Sequence, residues 1–136
     1  MPTRGEHQDK AVHNKGFLNE VPFPDTYADW TVVVCFYAAV HLADALLATD
    51  GWHPTNHRER GYQLIRLYKL RPGFPRFRGA YRDLEDLAHD ARYIGQKTIE
   101  ADDATSARDS DLPAVTKWVK NELKRKGFLR ARLSSA

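Results

Sequence analysis

The stretch from Trp30 to Ala48 is apolar at almost every position and is broken only by a few polar side chains, His41 and Asp44 at its centre. At about 100° per residue such a run carries apolar side chains all round. It predicts a central helix, buried by neighbours or by a second subunit. Elsewhere apolar residues recur at amphipathic, helical spacing. A first helix is expected over about residues 5–20, with Val12, Phe17 and Leu18 as its apolar contacts. The segment "VPFPDT" ends it, because two prolines cannot sit in a helix interior. Asp25 or Thr26 caps the second helix, which runs to about Thr49, where Gly51 and then Pro54 stop it. Asn56, with Glu59 three residues on, has capping-box spacing and opens a third helix through Leu64, Ile65, Leu67 and Tyr68. That helix ends at "RPGFP". The fourth, about residues 76–96, aligns Phe77, Ala80, Leu84, Leu87, Ala88 and Ala91 on one stripe. "EADDATSARDSD" reads as a polar connection, about residues 97–111, and Asp111 with Pro113 opens a basic last helix over about 112–130. No stretch sustains two-residue alternation. The expected fold is all-α: an antiparallel up-and-down four-helix bundle with its core at about residues 8–96 and an additional C-terminal helix.

Charge refines this picture. The 136 residues carry 21 basic and 18 acidic side chains, a mild net +3. The distribution is uneven. Arg58 to Arg82 holds eight basic residues and one acid, Asp83 to Asp111 nine acids and three basic residues, and Lys117 to Arg132 seven basic residues and one acid. "RLYKLRPGFPRFRGAYR" interleaves arginines with aromatic rings, which suits phosphate contact and base stacking. Arg71, Arg76 and Arg78 there, with Lys124 and Arg125 in the tail, are candidate nucleic-acid contacts. The single Cys35 lies in an apolar run, which leaves no disulfide framework and fits a reducing cytoplasm. "MPTRGEHQDK" is too polar for a signal peptide, and His41 and Asp44 argue against a membrane span. His53 and His57 lack the further ligands zinc wants, so no metal or other cofactor is expected.

Two constellations carry chemistry. His41 and Asp44 are three residues apart and share a helix face, where each can satisfy the other as a packing lock or form the floor of a site. On the fourth helix Arg82, Asp86, His89 and Tyr93 share the face opposite the apolar stripe. An arginine steadies anionic phosphate oxygens, and a histidine exchanges protons near neutral pH. Arg82 and His89 together have the chemistry to cut RNA without metal, the base taking the 2′-hydroxyl proton and the arginine holding the developing charge.

"DWTVVVCFYAAVHLADALLATDGWHPTNHRERGYQLI", followed by "YRDLEDLAHDARY", resembles the HEPN superfamily, most closely its stand-alone branch, over roughly residues 8–96. The resemblance implies an up-and-down four-helix bundle that usually pairs as a homodimer. Many such domains are metal-independent endoribonucleases of toxin–antitoxin, CRISPR or phage-defence systems. Others bind nucleotide or RNA, or act beside a nucleotidyltransferase partner. The catalytic signature, an arginine, four to six residues and a histidine, fits Arg82 and His89, with the polar Asp83 after the arginine. Two copies then meet at a composite seam. The signature usually opens the last helix of an active enzyme, whereas here it lies inside the fourth and another helix follows. In the branch most resembled, the recurring polar positions correspond to His41, His57, Arg60, Arg92 and Tyr93. The expected function is thus a metal-independent endoribonuclease of toxin or phage-defence type, or a non-catalytic module binding RNA, nucleotide or a partner such as an antitoxin or nucleotidyltransferase. Arg82, His89, His57 and Arg60 are its candidate catalytic residues, and His41, Asp44, Arg92 and Tyr93 its polar seam.

Overall fold

In the computed structural model, residues 3–20, 27–93 and 99–128 are described, with the side chains of residues 14–20 and 93 outside the description. Every regular element among them is helical: α1 (Arg4–Glu20), α2 (Ala28–Ala48), α3 (His57–Tyr68), α4 (Phe74–Tyr93), α5 (Ala101–Ser106) and α6 (Leu112–Arg125), with a π-helical turn at Ala107–Asp111 joining the last two. The axis of the bundle is α2. It packs against α1, α4, α5 and α6, and more lightly against α3. Its length and apolarity match a membrane-crossing helix, yet most of that run is buried inside the bundle. The side chains that fill this interior, Phe36, Leu42, Leu46, Leu64, Phe77, Tyr81, Leu84 and Leu123, are all essentially inaccessible. A nonpolar ring cluster welds the far end: Phe77 stacks on Trp118 with centroids 4.2 Å apart, and Tyr68 and Phe74 meet the same indole edge-on.

The end of α6 is tied to the ends of α2 and α3 by one lysine. Lys126 Nζ donates to Thr49 Oγ1 and Asp50 Oδ1, each at 2.6 Å, and to the Tyr68 hydroxyl at 2.8 Å. The Tyr68 hydroxyl in turn donates to Asp50. Three helix C-termini, each with free carbonyls and partial negative charge, thereby share one cation.

Several sequence expectations change. The proposed caps Asp25 and Thr26, and the "VPFPDT" break, lie outside the described residues. Asn56 does cap α3, its Oδ1 accepting from Glu59 N at 2.7 Å, but Glu59 reaches back to Thr55 rather than to Asn56. The connection expected at 97–111 is helical from Ala101 onward. Its buried face consists of Ala104 and Ala107, small residues set among acids. Asp111 consequently does not open a helix: the chain enters α6 already helical. The additional C-terminal helix packs in cis on α2 and α4.

Candidate nucleic-acid interface

A buried ion pair joins α2 to α3. Arg60 Nε donates to Asp44 Oδ1 at 2.6 Å, and Nη2 to Oδ2 at 3.1 Å. This is the planar, two-point geometry that suits a guanidinium and a carboxylate. The remaining arm is used as well, with Arg60 Nη1 donating to His57 Nδ1 at 2.9 Å. Burial alone would lower the Arg60 pKa, and the bond to Asp44 overrides it and raises it. His57 is pushed below the usual histidine range by burial and by the adjacent Arg60. Its ring leans on Phe36 at 5.2 Å between centroids. Behind them Tyr81 is buried next to Arg60, and burial raises the pKa of its hydroxyl.

His41 and Asp44 are not each other's partner. Asp44 is taken by Arg60, and His41 faces His7 of α1, with Nδ1 to Nδ1 at 3.2 Å. One ring must donate and the other accept, so the contact requires at least one neutral imidazole. Both pKa values lie below the ordinary 6.5, chiefly through burial. Proton uptake is therefore stronger in the unfolded chain. The contribution of this pair to stability is complete above about pH 6.5 and is lost as pH falls toward the lower folded-state values. Asp111, half-buried beside Asp83, is pushed up to about 6 and acts in the opposite sense over the same window. Urea midpoints of the wild type and a His7→Gln/His41→Gln protein, compared from pH 7.5 to 5, isolate the histidines. We expect the wild type to lose stability more steeply on acidification, and equal slopes would refute this role.

Beside this network, α3 and α4 enclose an open cleft of about 310 Å³ lined by His57, Arg58, Gly61, Tyr62, Ile65, Arg78, Arg82 and Glu85. Three guanidinium groups meet here against one carboxylate. Arg58 and Arg82 make no hydrogen bond or ion pair with described residues, and Arg78 Nη1 is buried without a partner. The Arg78 guanidinium lies over Gly61. On the rim, Tyr62 is 63% exposed and Ile65 41%. Unpaired guanidinium donors beside an exposed aromatic ring suit phosphate oxygens and a stacked base.

The other sequence candidates scatter. His89 is exposed on α4, its Nδ1 4.0 Å from Asp90 Oδ1, and it does not line the cleft that holds Arg82. Two helical turns separate Arg82 and His89, about 10 Å of rise. Arg92 Nη1 donates to the Tyr37 hydroxyl at 2.6 Å, and its charge is near enough to His57 to help lower that ring's pKa. The Tyr93 side chain lies outside the described residues. Arg71 and Arg125 are committed to the buried Glu122 at 3.0 Å each. Arg76 lines a separate cleft of about 580 Å³ between α4 and α6, with Lys117 and Trp118. Lys124 is exposed and makes no ion pair with described residues. Among the described residues no three side chains are grouped to hold a metal ion. The sequence reading missed His7, whose helix has too faint an apolar pattern to say which face turns inward. It also passed over Arg58 and Tyr62, which carried no signal beyond the basic run around them.

The HEPN domain family matches residues 20–121 of this chain. The chain belongs to the HEPN family. Neither curated proteins nor solved structures gave a match. The HEPN match runs past the end of α4 and takes in α5, the π-helical turn and most of α6. It begins at the last residue of α1, so the His7 side of the histidine contact is contributed from outside the matched segment.

Proposed function

We propose that this HEPN protein binds RNA, with the phosphate backbone seated in the α3–α4 cleft. The observation that carries the reading is the buried Arg78 Nη1, which has no acceptor among the described residues, on a side chain that lines the cleft with Arg58 and Arg82, neither of them paired with a described residue. A desolvated donor left without a partner is costly, and a phosphate drawn to the cleft would supply the missing acceptor once the Arg78 guanidinium turns toward it. Fluorescence anisotropy with a labelled single-stranded RNA in EDTA tests it. Each phosphate neutralised on a single strand contributes about 0.7 to the slope of log affinity against log salt. An Arg58→Ser/Arg78→Ser/Arg82→Ser protein, folded by circular dichroism, should bind far more weakly, with a slope shallower by about 2. An unchanged slope would move RNA elsewhere.

A second reading is cleavage of the bound RNA, as in a toxin or phage-defence endoribonuclease. It is favoured by the open placement of Arg82 and His89 on one face of α4, with the His89 side chain 58% exposed. A site built on these residues would be completed by the same pair from another copy. The surface we assign to that copy is the stripe made by Tyr27, just before α2, with Trp30, Val34 and Tyr37 of α2. It follows the three–four spacing of a coiled-coil seam, and Tyr27 and Trp30 are more than half exposed. Wild-type protein should sediment as a dimer and Trp30→Asp as a monomer. In the same EDTA reaction run on a gel, cleavage by wild type and none by His89→Ala or Trp30→Asp is expected. Intact RNA with wild type leaves binding as the function.

A further inference from the structure

His57 stands at the junction of the buried ion pair and the cleft. Its Nδ1 faces Arg60 Nη1 at 2.9 Å. A guanidinium carries five donors and no acceptor, so this bond has one polarity only: Nδ1 accepts. A neutral imidazole whose Nδ1 accepts carries its proton on Nε2. Arg60 is not free to turn away, because Asp44 holds its Nε and Nη2 and both residues are buried. Protonating Nδ1 would set two donors against each other at that distance. Burial lowers the His57 pKa, and the adjacent Arg60 charge lowers it further. The Nε2 end makes no hydrogen bond with described residues, the ring is exposed, and His57 lines the cleft.

We infer that Asp44 and Arg60 position His57 as a fixed Nε2–H donor to a phosphate oxygen of RNA in the α3–α4 cleft, and not as a proton acceptor. This rests on the RNA-binding reading above and deepens it. His57 adds a neutral, directional donor to the three guanidiniums around it, and a base for cleavage must come from another residue. Arg60 and Asp44 are positioning residues: they act on RNA only through the imidazole.

The test is nitrogen-15 NMR of the full-length protein's histidines, with a 2′-O-methyl oligonucleotide, which resists cleavage at the 2′ position, as the probe. Free wild type at pH 7 should show His57 as the Nε2–H tautomer. Adding the oligonucleotide should shift its Nε2 resonance without adding a proton to Nδ1. Arg60→Lys should give a mixture of tautomers and a His57 titration nearer 6.5, which a residue that merely supports packing would not cause. In parallel, His57→Ala should weaken oligonucleotide binding about tenfold, and His57→Gln, whose side-chain amide restores a donor at that reach, should recover most of it. An Nδ1–H tautomer in wild type overturns the inference without needing any variant to fold. Oligonucleotide binding with no response at His57 overturns it and leaves the RNA-binding reading standing. Absence of binding by folded wild type overturns both.

Discussion

Asp44→Ala should lower the unfolding free energy by about 3–5 kcal/mol, measured by urea denaturation. The size follows from what is left behind. Asp44 accepts two of the Arg60 hydrogen bonds, and Arg60 is only 6% exposed. Removing the carboxylate strands a guanidinium in the core without its counter-charge, and the desolvation penalty then stands uncompensated. The ion pair itself contributes far less than this loss, because desolvating both charges offsets most of their attraction. The two statements separate in a double variant. Asp44→Leu/Arg60→Met removes both charges and retains most of the volume, so it should recover most of the stability lost by Asp44→Ala. The double variant should nevertheless free His57 to take either tautomer, since the donor to its Nδ1 is gone. A stable, folded double variant with weakened RNA binding would show that the pair is kept for the cleft it organises. If Asp44→Ala costs less than about 1 kcal/mol, Arg60 reaches solvent or another acceptor, and the two residues are not a buried pair.

The helical character and the unusual second helix were legible because an all-apolar run of that length has few other homes. That polar residues inside it mark a network was legible too. Which residues complete the network was not. Asp44 and Arg60 are 16 residues apart, across a turn whose geometry places them together. His7 lies on a helix with too faint an apolar pattern to say which face turns inward. The basic run shows the same limit. Arg71 and Arg125 look as available in sequence as Arg58 and Arg78, but the first two are spent on Glu122 and the last two are not. Pairing is a property of tertiary neighbours, and composition is silent on it. The segment 101–111 misled for a different reason. Its inward face is made of alanines, whose small apolar area is hidden in a pattern dominated by aspartate and serine.

Trp118→Ala should cost about 3–5 kcal/mol, enough to unfold much of the chain at modest urea concentration. The indole is 7% exposed and stacks on Phe77, with Tyr68 and Phe74 at its edges. It also clasps the turn between α3 and α4, its Nε1 donating to the Pro72 carbonyl at 2.9 Å. The chain makes room for it: Gly73 has φ +78°, and a Cβ there would stand 3.2 Å from Trp118 Cδ1. Trp118→Phe keeps an aromatic ring against Phe77 and loses the hydrogen bond and part of the ring, so it should cost clearly less than Trp118→Ala. The comparison decides what α6 is. If α6 were an accessory to a bundle complete at residue 96, truncating its main anchor would loosen the tail and leave α1, α2 and α4 cooperative. If α6 is a wall of the core, as its packing on α2 and α4 and its inclusion in the HEPN match both indicate, then Trp118→Ala lowers the single unfolding midpoint of the whole domain. We expect one transition, displaced as a whole. Two transitions would return α6 to the role of appendage, and with it the 580 Å³ cleft that it forms with α4.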